Sequence, residues 1–332
     1  MKVVALFNNK GGVGKTTLVY HLAWMYQLLR VPVVAIDLDP QANLTAAFLP
    51  EERLDELWLG EGDASTIAGV VQPLLDRLGD IRDPPLEAID TQLALIPGDL
   101  ALSAFEDRVA EAWPRCLDDK PAEARDGFRV TSAFYRAAER AARACRAELV
   151  LVDVGPSLGS LNRAALVACD YVVVPLGADL YSLVGLRNLG PTLESWRKGW
   201  RTRLSGQVPP DLVLPSGDMR PIGYVILQHA VRRDRPVKAY QRWAERIPSV
   251  YHEKILGSPL PDPDNGDDPH QLASLKHYRS LMPLAQDAHK PMFLLTAADG
   301  AIGGHAEAVS DCFRDFKQLA LRIAESIGIS HD

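Results

Sequence analysis

A doubly wound, mostly parallel α/β sheet flanked by helices is the fold this sequence predicts, and three observations carry the prediction. Its 332 residues are about two domains' worth of chain, enough to bury a sizeable core. Short apolar runs rich in β-branched residues recur between turn residues, with helical periodicities between them, as buried parallel strands with crossover helices require. A glycine-rich turn joins the first run to the first helical pattern. Hydrophobic residues at 47% and charged residues at 24% exclude a disordered or low-complexity chain.

The first strand is expected at Val3–Phe7; it is too short for a signal-peptide core, and no later run approaches a membrane span. A cytoplasmic chain is expected. Leu18, Leu22, Met25 and Leu29 then mark one face of a helix packed on a sheet. Further strands are expected at Val31–Ile36, Leu93–Ile96, Leu149–Val152, Tyr171–Val174 and Ile222–Leu227. Helical periodicity appears in Ala133–Ala147, Leu161–Ala168, Leu183–Trp200, Ala239–Ile247 and Ala306–Ile327. Right-handed crossovers follow from the alternation. Three stretches read as insertions or loops: the acidic 51–90, 204–220 and Pro259–Pro269. Asp262, Asp264, Asp267 and Asp268 in the last lack the spacing of a calcium loop and read as solvated. The four cysteines (Cys116, Cys145, Cys169, Cys312) form no Cys-x-x-Cys pair and read as free thiols, not zinc or disulfide partners.

Net charge is −7, and the deficit sits in one segment: Glu51 to Glu87 holds ten acids and three arginines. Two basic clusters stand out elsewhere, Arg197, Lys198, Arg201 and Arg203 in one, Arg232, Arg233, Arg235 and Lys238 in the other. Both are candidates for phosphate-contacting DNA surfaces, and both could equally be solvated helix faces.

Chemistry concentrates in Asn9-Lys10-Gly11-Gly12-Val13-Gly14-Lys15-Thr16-Thr17, placed between strand and helix. Glycines let successive amides curl around an anion, the helix N-terminus adds partial positive charge, Lys15 reaches β/γ-phosphates and Thr16 ligates Mg²⁺. Gly11, Gly12, Val13, Gly14, Lys15, Thr16 and Thr17 are thus the nucleotide-binding set. Asn9 stands where the strict Walker A pattern has glycine, and Lys10 is an additional lysine. The second strand ends in Asp37-Leu38-Asp39-Pro40-Gln41, two carboxylates at the sheet edge where ligands bind. One can approach Mg²⁺ or its water while the other orients the attacking water. Leu149–Asp153 has the form of a Walker B strand, with Asp153 on the metal.

Lys10–Thr17, Asp37–Gln41 and Asp153-Val154-Gly155-Pro156-Ser157 together resemble the deviant-Walker-A P-loop ATPases of the ParA/MinD family, closest to the ParA (Soj-like) partition branch. The resemblance covers about residues 1–50 and 93–200 and weakens beyond Gly206. It implies a single P-loop ATPase domain over 1–332, with the acidic insertion at about 51–90 and a divergent C-terminal part from about 206. It implies a slow, partner-stimulated ATPase with ATP and Mg²⁺ as cofactors, in which two chains dimerise around two ATP molecules and Lys10 crosses to the partner's phosphates. Lys10, Lys15 and Asp39 become catalytic, Asp39 as the water-positioning carboxylate; Thr16, Asp37 and Asp153 become the metal set. Non-specific DNA, a ParB-like activator, a role in plasmid or chromosome partition and a nucleoid-associated location are further implications. Gly155-Pro156 departs from the family's two prolines, and no adenine-holding tail is recognisable around Leu256–Leu281.

Two other readings stand beside this one: a specialised ParA-like ATPase in phage defence or regulation, and a MinD-like membrane-positioning ATPase. The latter needs a cationic amphipathic end helix, whereas Arg314, Lys317 and Arg322 are mixed with Asp311, Asp315 and Glu325, so no membrane is expected. An electron-transfer protein of nitrogenase-iron type lacks suitably placed cysteines.

Overall fold

The computed structural model describes residues 1–60, 65–227, 237–260, 268–278 and 280–330. Eight strands form one sheet: β1 (Lys2–Leu6), β2 (Val33–Asp37), β3 (Glu87–Asp90), β4 (Leu93–Ile96), β5 (Leu149–Asp153), β6 (Tyr171–Gly177), β7 (Arg220–Leu227) and β8 (Gln271–Leu275). Their order is β3-β4-β2-β5-β1-β6-β7-β8, and every pairing is parallel except β3 with β4. The helices are α1 (Lys15–Leu28), α2 (Asn43–Phe48), α3 (Glu51–Leu59), α4 (Ile67–Leu75), α5 (Phe105–Arg115), α6 (Pro121–Thr131), α7 (Ala133–Cys145), α8 (Ser160–Val167), α9 (Leu180–Leu204), α10 (Val237–Ala244), α11 (Ile247–Tyr251), α12 (Met282–Asp287) and α13 (Gly304–Ile327).

Alternation along β1 divides the core. Val3, Ala5 and Phe7 face the helices α4–α9 and α11, while Val4 and Leu6 face α1, α2 and α13. Because both faces are covered, the central strands are apolar throughout. Register then places the functional ends. Asp37 of β2 lies opposite Asp153 of β5, and Leu6 of β1 opposite Asp153 on the other side, so two carboxylates sit beside the start of the glycine-rich turn.

The acidic stretch 51–90, expected as an insertion or loop, carries α3, α4 and β3 and is no plain loop. Ile67, Val70, Val71 and Leu74 give α4 a buried helical stripe, and β3 closes one sheet edge. Its charges are answered locally: Arg53 pairs with Glu56 and Glu87, Arg136 with Asp80, and Arg140 with Asp83. A second correction concerns Asp268, whose side chain is enclosed rather than solvated. Tyr224 Oη donates to its Oδ2 at 2.8 Å, the His270 amide donates to Oδ1 at 3.0 Å, and His252 Nε2 lies 3.0 Å from Oδ1. Asp262, Asp264 and Asp267 lie outside the described residues. The cysteines are free, with Cys116, Cys169 and Cys312 buried.

Candidate functional site

Gly12 and Gly14 take φ of +70° and +78°, left-handed values that a side chain resists, and Gly14 caps α1. The turn therefore aims its amides at whatever sits before α1. Lys15 is buried; burial holds its ammonium below the usual lysine pKa, opposed by the charges of Asp153 and Asp39. Its Nζ donates to the Lys10 carbonyl at 3.1 Å.

Three carboxylates gather at these strand ends, and two of them, Asp153 and Asp39, act on this lysine. Asp153 is buried, and burial followed by the Asp37 charge pushes its pKa well up, against a lowering by the nearby Thr16 hydroxyl; both its oxygens are enclosed without a well-formed hydrogen bond. Such orphaned oxygens beside Thr16 suit a hard cation that takes oxygen ligands. Among the described residues no cluster of three or more Asp, Glu, His or Cys could hold a metal, so a cation here would need oxygens from nucleotide and water as well. Asp37 is equally buried, but its Oδ2 accepts from the Thr45 amide at 2.9 Å and the Thr45 hydroxyl at 2.8 Å, and its Oδ1 accepts from the Asp39 amide at 3.2 Å. Burial raises its pKa to about 6, against the lowering effect of the Thr45 donors. Bonds within the chain thus engage both oxygens, so Asp37 staples the turn that follows β2. Asp39 lines the cavity, with Oδ1 accepting from the Gln41 amide at 3.0 Å.

That cavity holds about 860 Å³ and runs from Gly11, Gly12, Gly14, Lys15 and Thr16 past Tyr20 to α12 and the turn beyond it. Met282, Ala285, Gln286, His289 and Met292 line its far end. These residues follow the stretch 256–281, in which no adenine-holding tail is recognisable. His21 joins the two halves. The Met292 amide donates to its Nε2 at 3.1 Å, so Nδ1 carries the proton and donates to the Thr17 carbonyl at 2.7 Å. Burial pushes its pKa down to about 4.

Lys10 lies outside the cavity lining. Its Nζ donates to Asp179 Oδ2 at 2.6 Å, and Asp179 also caps α9 by accepting from the Ser182 amide at 2.8 Å. Burial works to raise the Asp179 pKa, but the Lys10 and Ser182 bonds hold it below the usual range. Leu180, Tyr181 and Val184 at the start of α9 are exposed, and Lys10 Nζ lies 5.9 Å from the Tyr181 ring centre.

Of the basic candidates, Lys198 and Arg201 are exposed on α9. Arg197 donates to the carbonyls of Asp218 and Met219 at 2.6 and 3.0 Å. Arg203 is corrected out of the DNA set: it is buried, donates to the carbonyls of Trp113 and Gly199, and stacks 3.8 Å from the Trp113 ring centre. Arg232, Arg233 and Arg235, and the side chain of Lys238, lie outside the described residues. A cleft of about 560 Å³ at the opposite sheet edge gathers Arg197 and Arg201 with Lys2 and Arg220, which the sequence did not connect, beside Asp170 and Asp218.

The parallel sheet, the left-handed glycines before α1 and the carboxylate pair at the strand ends define a P-loop nucleotide-binding protein. The chain belongs to the AAA_31 family (AAA domain), whose model matches residues 1–205, and within it to the ParA/MinD group of P-loop ATPases. It is 31% identical over 201 residues to the chromosome-partitioning ATPase Soj of Thermus thermophilus, covering 60% of this chain and 65% of that one. It is 32% identical over 210 residues to IncC of Escherichia coli, covering 63% of this chain and 50% of that one. The matched stretch thus spans between half and about two thirds of these relatives. In fold the chain is similar to an ATP complex of Cyanothece McdA, at TM-score 0.63 and 16% identity over 99% of this chain and 97% of that one. Among the described residues no helix is long and apolar enough to cross a membrane.

Proposed function

We propose that residues 1–332 form one ATP-dependent, dimerising switch ATPase of ParA type, which hydrolyses ATP to ADP and phosphate, binds DNA non-specifically in the ATP state and serves DNA segregation. The observation that carries this reading is a phosphate loop with a second lysine parked beside it. Lys10 is held at the rim next to Leu180, Tyr181 and Val184, which are 51%, 74% and 46% exposed. A second copy docking there would cover those apolar residues and take Lys10 at its own phosphates. A cation supplied in trans couples hydrolysis to assembly.

Within one chain the roles divide by burial. Thr16 and the unpartnered Asp153 would hold Mg²⁺, Lys15 the phosphates, and Asp39 would orient the attacking water. When bound, Mg²⁺ neutralises charge that develops on the phosphate oxygens. Lys198 and Arg201, with Lys2 and Arg220 in the opposite cleft, are the accessible candidates for DNA phosphates. A ParB-like activator and a nucleoid location follow from the same reading, as do Soj-like partition relatives. Membrane positioning is less favoured, because α13 spends its apolar stripe of Cys312, Phe316, Ala320 and Ile323 on the core.

The test is sizing the Asp39→Ala variant with Mg²⁺ and ATP, with and without duplex DNA at several salt concentrations. A trapped dimer is expected whose log affinity for DNA falls with log salt by about 0.9 per phosphate contact. A trapped dimer that ignores DNA would shift the reading to a specialised regulatory or defence ATPase, and a persistent monomer would overturn the dimerising switch.

A further inference from the structure

The turn that carries Asp39 is pinned at both ends to Asp37. At its near end the Asp39 amide donates to Asp37 Oδ1. The Ala42 amide then donates to the Asp39 carbonyl at 2.8 Å to close the turn, and Ala42 takes φ of +52°, a left-handed value that needs outside support. That support is in the first turn of α2, where the Thr45 amide and hydroxyl both donate to Asp37 Oδ2.

The Thr45 hydroxyl is buried and fully used: while donating to Asp37 it accepts from the Gly98 amide at 2.7 Å. Gly98 has no room for a side chain, since a Cβ there would sit 2.8 Å from the Asp37 carboxyl carbon. The Gly98 carbonyl in turn accepts from Trp58 Nε1 at 3.1 Å. Trp58 stands on α3, the acidic helix without a role in the nucleotide site, and is 38% exposed. Four hydrogen bonds therefore run from a surface indole to the backbone of Asp39: Trp58 to Gly98, Gly98 to Thr45, Thr45 to Asp37, and Asp39 back to Asp37.

We propose that Thr45 is a positioning residue for hydrolysis, fixing the Asp39 turn through Asp37, and that Trp58 ties helix α3 to it, so that displacing α3 alters turnover without altering nucleotide uptake. The proposal rests on the hydrolytic reading above. Its physical basis is that the cavity's phosphate-binding groups belong to a different segment, Gly11–Thr16, which none of these four bonds touches. Loss of the Thr45 hydroxyl leaves the Gly98 amide without that acceptor and Asp37 Oδ2 with the Thr45 amide alone, and the turn relaxes.

The experiment compares the unaltered full chain with Thr45→Val, Thr45→Ser and Trp58→Phe, measuring Mg²⁺-ATP affinity by calorimetry, single-turnover hydrolysis and tryptophan emission. Thr45→Val should cut hydrolysis about tenfold with affinity held within about twofold, and Thr45→Ser should restore it. Trp58→Phe should slow hydrolysis about two- to threefold, and the emission lost with Trp58 should be the part that shifts when nucleotide is added. Unchanged hydrolysis in Thr45→Val, or affinity falling in step with hydrolysis, overturns the positioning role. Should Thr45→Val fail to fold, Trp58→Phe decides alone: unchanged turnover and a silent Trp58 emission overturn the link to α3. If the unaltered chain binds nucleotide but never hydrolyses it, the hydrolytic reading itself fails and this proposal falls with it; if it hydrolyses and Thr45→Val matches it, only the proposal falls.

Discussion

The two ends of the 860 Å³ cavity are made of opposite materials. At the phosphate end the working groups are backbone amides, Lys15 and carboxylates fixed by strand register, all drawn from contiguous motifs. At the far end they are side chains of α12 and the turn after it, the turn tied to α1 by the His21–Met292 bond, which spans 271 residues of sequence. The polar end is thus built from residues local in the chain, while the far end is assembled from afar. Losses at the first end should be large and specific; those at the second should be smaller and shared with stability.

Lys15→Ala should give the largest effect. It removes the cation that faces Asp39 and Asp153 and leaves these two buried carboxylates without it. Calorimetry should register a loss of Mg²⁺-ATP affinity of about 100- to 1,000-fold, the scale of removing a charged donor from an enclosed site. The contrast between the ends breaks if Met282→Ala costs as much.

The same division explains what the sequence disclosed. Strand runs, the α1 stripe and Lys10–Thr17 are short-range patterns, and each was legible because its physical cause lies within a few residues. The place of Asp153 at the end of β5 was legible for the same reason. Asp37 was seen, but its bonds to Thr45 were not, because Thr45 and Gly98 meet it across α2 and the end of β4, and no spacing rule encodes that meeting. Helix α4 was hidden by the acids around it, although Ile67, Val70, Val71 and Leu74 carried a helical period. Arg203 misled by charge alone; a neighbouring Trp113 that stacks on it is visible only in three dimensions.

At the far end, pH should act through His21. Its folded pKa of about 4 lies below the ordinary 6.5, so the unfolded chain takes up the proton first. Stability is untouched above pH 6.5 and drains as pH falls toward 4, by about 1.4 kcal/mol per pH unit and about 3 kcal/mol in all. Denaturant titrations at stepped pH should show this component in the unaltered chain and its disappearance in His21→Gln. An equal slope in both would place the acid sensitivity elsewhere.

The smallest expected effect sharpens the contrast at the rim, where charge is neither buried nor contiguous. Lys10 and Asp179 are 28% and 31% exposed in their side chains, so water and salt screen the pair, and its strength belongs with surface bridges of about 0.2–1 kcal/mol. Asp179→Asn keeps a capping oxygen for the Ser182 amide, so α9 should hold its start while Lys10 is released. If Lys10 must leave Asp179 to serve a second copy, the variant should dimerise at an ATP concentration about two- to fivefold lower in sedimentation at low salt. The gap should close near 1 M salt, where the Debye length of about 3 Å already loosens the pair in the unaltered chain. A variant that dimerises less readily would mean that Asp179 aids the docked state and is no latch on Lys10.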